Sequence, residues 1–128
     1  MFAVNISRDG KHVDTVTGDT ADDASNAAFR ALHRLQGQSV DYALKHGGWS
    51  VSEPFKARLW GVMGSAHFGS MADAARYYRD YGDDAAAVAR KVQAGEIHIG
   101  KPPLNPGETC QLDRNEGRYF VARWTAEA

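Results

Sequence analysis

The sequence predicts an α+β fold, an N-terminal antiparallel β-sheet packed with one helix, followed by a unit of two helices and a β-hairpin. Three observations carry this. Residues 2–7 alternate apolar and small or polar side chains up to an Asp9-Gly10 turn. A stripe of alanine and leucine then repeats at helical spacing behind Thr20. Between Ser70 and Phe120, two short apolar-faced helices precede a strand and a hairpin pattern.

In the first strand Phe2, Val4 and Ile6 point one way and Ala3, Asn5 and Ser7 the other. Asp9 and Gly10 both tolerate positive φ, as a two-residue hairpin requires. Val13, Thr15 and Thr17 continue the return strand on one face. Thr20 caps the helix, Asp22 and Asp23 meet the positive end of its dipole, and Gly37 ends it. Ala24, Ala27, Ala28, Ala31, Leu32 and Leu35 form its inward stripe, small enough to lie close to the sheet.

Residues 39–63 carry mixed signals. Val40, Tyr42 and Leu44 alternate as a strand does, and a further strand is expected near 49–52, then a short helix or strand over 55–63. Gly61, Gly64 and Gly69 mark the connection between subdomains 1–68 and 69–128, unless both share one core. Beyond it, Met71, Ala74, Ala75 and Tyr78 stripe one helix, and Val88, Ala89 and Val92 the next, capped by Asp83 or Asp84. Glu96 to Ile99 reads as a strand, Lys101 to Gly107 as a proline-stiffened loop, and 109–112 with 118–124 as a hairpin.

A chain of 128 residues with 43% hydrophobic residues can build a real core but not two domains of ordinary size. No apolar run is long enough to span a membrane, and residues 1–7 lack the pattern of a secretory signal. With a lone Cys110, the expectation is a bacterial cytoplasmic protein without disulfides. Lys and Arg number fifteen against sixteen Asp and Glu, and neither half of the chain is basic, so no broad field draws in a polyanion.

Chemistry-bearing motifs are absent from the sequence. Histidines 12, 33, 46, 67 and 98 lack metal-ligand spacing, Cys110 sits in a strand pattern, and no glycine loop ends in the Lys-Ser/Thr of a phosphate site. Neither a metal, a cofactor nor a catalytic residue is expected. Trp49, Trp60 and Trp124 are read as core, with partial exposure open to Trp124 near the terminus.

Ala72-Asp73-Ala74-Ala75, Val88-Ala89-Arg90-Lys91, Gly95-Glu96-Ile97 and Gly117-Arg118-Tyr119-Phe120, in that order, resemble the small excisionase and MerR-type winged-helix DNA-binding domains. That resemblance implies a second helix in the major groove, with Arg90 and Lys91 near DNA and Arg114 and Arg118 on a phosphate-touching wing. Against it, the second helix opens on Asp83-Asp84 and Ala85-Ala86-Ala87, where base-reading side chains would stand. The other signal is aromatic. One stripe buries Tyr78 and Tyr81 but not Tyr77, so Arg76, Tyr77 and Arg79 are expected on an exposed tyrosine and arginine surface, a composition typical of interface anchors.

These readings favour a small non-enzymatic protein-binding module whose partner is a host protein or complex. In size and style it resembles phage and mobile-element accessory proteins, among them anti-CRISPR inhibitors. That resemblance implies steric inhibition of a host defence complex, through Arg76, Tyr77, Arg79 and Lys101. The alternative is a DNA-binding transcriptional regulator using Arg90, Lys91, Arg114 and Arg118.

Overall fold

A computed structural model of the chain describes residues 1–127. In chain order the elements are β1 (Phe2–Arg8), β2 (Lys11–Gly18), α1 (Ala21–Gln36), α2 (Val40–His46), β3 (Trp49–Val51), β4 (Phe55–Phe68), α3 (Met71–Arg79), α4 (Ala85–Gln93), β5 (His98–Ile99), β6 (Glu108–Asp113) and β7 (Arg118–Ala126). The strands follow the order β2-β1-β4-β7-β6, with β3 beside β1 and β5 beside β4. The fold class is α+β, as expected. The chain forms two compact units, the first from Met1–Gly61, Leu104–Thr109 and the chain from Ala122 on, the second from Val62–Pro103 and Cys110–Val121.

The first unit opens on the hairpin. Asp9 (φ 52°) and Gly10 (φ 79°) both take left-handed backbone between the paired residues Arg8 and Lys11, the primed turn that matches strand twist. Past the turn the register slips at Ile6/Ser7, leaving Val13 unpaired as a bulge. That extra residue corrects the expected face of β2. Val13 and Val16 pack towards the helix, whereas Thr15 turns the other way and donates to Asn5 Oδ1 at 2.9 Å. On that polar side Asn5 Oδ1 also accepts from Gly107 N (3.0 Å), and His12 Nε2 lies 3.0 Å from the Glu108 carbonyl.

Helix α1 forms with the expected caps, although Leu35 of its expected inward stripe is 44% exposed. Thr20 Oγ1 accepts from Asp23 N at 3.1 Å, and Gly37 (φ 71°) donates its amide to the His33 carbonyl. Ala24, Ala28, Ala31 and Leu32 are buried against Val4 and Ile6, so the small side chains bring helix and sheet into close contact.

Residues 40–44 are not a strand. Ser39 Oγ accepts from Tyr42 N at 3.2 Å, Asp41 occupies the first turn and Lys45 and His46 the last, and α2 results. Only Ala43 of this helix is buried, while Tyr42 is half exposed; a local cap outweighs a three-residue alternation. Residues 49–51 form the expected strand, antiparallel to β1. The 55–63 stretch is part of β4, and Gly61 and Gly64 lie within that strand rather than in a connection. Trp49 is core, with the Arg8 guanidinium 5.3 Å over its ring. Trp60 is not: it stands 60% exposed, with Arg123 over it at 5.7 Å.

In the second unit Phe68, Ala74, Val88 and Ile97 make a small core, with Tyr77, Tyr78 and Val92 packed against it. Ser70 caps α3 and Asp84 caps α4. Ser70 Oγ accepts from Asp73 N (3.1 Å) and donates to Asp73 Oδ2 (3.0 Å), so the first turn of α3 is closed by its own side chains. The turn between β6 and β7 meets this helix start: Gly69 N donates to the Gly117 carbonyl at 2.9 Å. Gly117 has φ 68°, and a Cβ there would lie 2.7 Å from Asp73 Oδ1, so both backbone and space demand glycine. The strand expected from Glu96 shortens to His98–Ile99 and pairs in parallel with β4, His67 opposite His98.

Candidate binding surface on α3

The tyrosines of α3 are arranged differently from the expected stripe. Helix α3 stops at Arg79, so helical spacing no longer governs Tyr81, which lies past its end and is 69% exposed. Tyr77 and Tyr78 are both half-buried instead, with ring centroids 5.4 Å and 5.7 Å from Phe68. Phe68 is fully buried, and a ring that size offers two flanks to one helix. The expected exposure of Tyr77 is therefore corrected: Tyr81 is the tyrosine that reaches solvent, 5.3 Å from Tyr77.

Burial and a bond to Tyr81 leave a mark on Tyr77. Its hydroxyl pKa is raised above the ordinary phenolic value, chiefly by the hydrogen bond to Tyr81, then by desolvation, with Arg118 pulling it down and Glu116 pushing it up.

Arg76 and Arg79 project from the last turn of α3 and are exposed. Arg76 pairs with Asp73 Oδ1 at 3.1 Å, one turn back. Arg79 joins no ion pair among the described residues. Two clefts border this ridge. The larger, about 750 Å3, runs between α3 and the start of α4 and is lined by Ala72, Ala75, Arg76, Arg79, Asp83 and Asp84 among others. The smaller, about 230 Å3, is lined by Arg76, Tyr77, Asp80, Tyr81, Asn115 and Glu116. Lys101 is exposed two residues past β5 and lines neither cleft.

The four cations expected to meet DNA divide into two kinds. Arg90 and Arg114 are exposed. Lys91 is half-buried, its Nζ 5.3 Å over the Tyr78 ring and 3.8 Å from Glu96 Oε2. Arg118 lies between the Tyr77 ring (5.2 Å) and the Phe120 ring (5.0 Å), with its Nε 3.5 Å from Glu116 Oε2. It also fills the space beside Gly64 that any side chain there would need. Lys91 and Arg118 thus serve the interior of their own unit, where ring faces and carboxylates answer their charge.

One pairing escapes sequence reasoning. His67 and His98 stack at 4.7 Å with their planes 21° apart, and His67 Nδ1 is buried without a hydrogen-bond partner. They are separated by thirty residues, and only the parallel β4–β5 register unites them. No three His, Cys, Asp or Glu side chains gather into a metal-holding group among the described residues, and no helix there is long and apolar enough to cross a membrane. Comparison with protein-family models, with characterised proteins and with solved structures finds no match for this chain.

Proposed function

We propose that this chain is a small non-enzymatic protein-binding module that acts by covering a surface of its partner. The observation that carries the reading is the ridge at the end of α3. There, exposed Tyr81 stands with Arg76 and Arg79 between two clefts. Tyrosine and arginine combine large contact area with hydrogen bonding, and clefts beside them offer room for side chains of a partner. The near-neutral charge of the chain supports a protein partner over a nucleic acid. In mechanism the module is a steric inhibitor. It occludes a host surface that otherwise receives nucleic acid or another subunit, in the manner of phage and mobile-element accessory proteins that block host defence, anti-CRISPR proteins included.

The test is capture from a bacterial lysate by the tagged chain and by an Arg79→Ala/Tyr81→Ala variant in parallel, with and without nuclease and at low and moderate salt. The expected result is one protein held in stoichiometric amount by the wild type and lost from the variant. Equal retention by both would remove α3 as the contact surface. Recovery of nucleic acid alone, lost on adding salt, would transfer the site to Arg90 and Arg114.

A further inference from the structure

We infer that the smaller cleft beside α3 receives one cationic side chain, arginine or lysine, from the protein partner proposed above. The inference rests on that reading and adds the chemistry of the contact. At about 230 Å3 the cleft falls below the size of ordinary small-molecule sites and suits a single side chain. Its walls are aromatic and mostly acidic, with Arg76 among them. Tyr81 presents a ring that is 69% exposed, tilted 42° from the Tyr77 ring, and an exposed tyrosine face attracts a cation through its quadrupole.

Asp80 and Glu116 add two carboxylates and Asn115 an amide. Glu116 keeps 42% of its side chain exposed, while its Oε2 is buried 3.5 Å from Arg118 Nε. Arg76, which lines the cleft, is paired with Asp73 at 3.1 Å, and Arg118 behind Glu116 lies against that carboxylate and two aromatic faces. Asp80 joins no ion pair among the described residues, so the charge left to the cleft is negative. A guanidinium stacked on Tyr81 with its edge towards Asp80 and Glu116 would satisfy ring and carboxylates together.

The experiment is a titration of the isotope-labelled full chain with blocked tripeptides carrying arginine, lysine or glutamate at the centre, followed by amide NMR shifts. Shifts at Tyr81, Asn115 and Glu116 are expected with the arginine and lysine peptides and not with the glutamate peptide. Tyr81→Ala is expected to weaken them about threefold, and Tyr81→Phe to leave them intact. Glu116→Gln is expected to weaken them by a similar factor. Equal response to glutamate, shifts scattered over the surface, or unchanged affinity in Glu116→Gln and Tyr81→Ala would each overturn the inference. In lysate capture, a partner kept by Glu116→Gln but lost by Arg79→Ala/Tyr81→Ala sinks the cation pocket and leaves the binding surface standing. A partner kept by all variants sinks the surface itself.

Discussion

Tyr77 and Tyr81 sit four residues apart and do opposite work. Tyr77 packs against Phe68, Tyr78, Tyr81 and Arg118, so Tyr77→Ala is expected to cost about 2–3 kcal/mol of stability, read from urea unfolding. Tyr81→Ala is expected to stay within about 0.5 kcal/mol of wild type, because its ring is mostly in solvent. A lost partner in Tyr77→Ala would therefore report a weakened fold, and Tyr81 is the residue to test for contact. Gly117 is decided on two counts, φ 68° and the Asp73 side chain where a Cβ would stand. Gly117→Ala is expected to cost about 2 kcal/mol or more by the same assay. The aspartates and tyrosines of this region were legible as residue types. Which tyrosine is buried was not, because that follows from where α3 stops.

Element boundaries set by local chemistry were readable. Thr20, Ser70 and Asp84 each cap the helix behind them, and Asp9-Gly10 makes its turn with backbone angles that few other residue pairs allow; the Ser39 cap of α2 was missed, because the alternation of Val40, Tyr42 and Leu44 reads as a strand. Strand β5 is the contrary case. It has two residues, held to β4 with His67 opposite His98 and by Gly100 N donating to the Phe68 carbonyl. The His67 pKa is lowered from its ordinary value by desolvation first and by His98 second, the Gly100 backbone opposing them. No other titratable group contributes to that shift. With the folded value depressed, the unfolded chain binds the proton more readily. Stability from this site is complete above about pH 6.5 and is lost as pH falls through the lowered folded value. His67→Phe keeps a ring on His98 without the proton, so its unfolding free energy is expected to vary less between pH 7 and pH 5 than that of the wild type. An unchanged pH dependence would remove His67 from the acid response.

Across the whole chain, charge is spread evenly in sequence, and the structure commits part of it internally. Of the four cations that the winged-helix resemblance assigned to DNA, Lys91 and Arg118 are engaged with rings and carboxylates. Double-stranded DNA is therefore expected to bind weakly even at low salt, as measured by a fluorescence anisotropy titration; tight binding that falls steeply with salt would restore the regulator reading.

The sequence by itself determined the α+β class, most elements and their caps, because periodicity, turn residues and capping are contacts within a few positions along the chain. It did not determine the Val13 bulge, the length of β4, the exposure of Trp60, or the meeting of His67 with His98. It also could not show that Tyr81 with Asp80, Asn115 and Glu116 forms one cleft. Each of these depends on which strand lies beside which and in what register, and that is settled only when distant segments compete for the same buried surface.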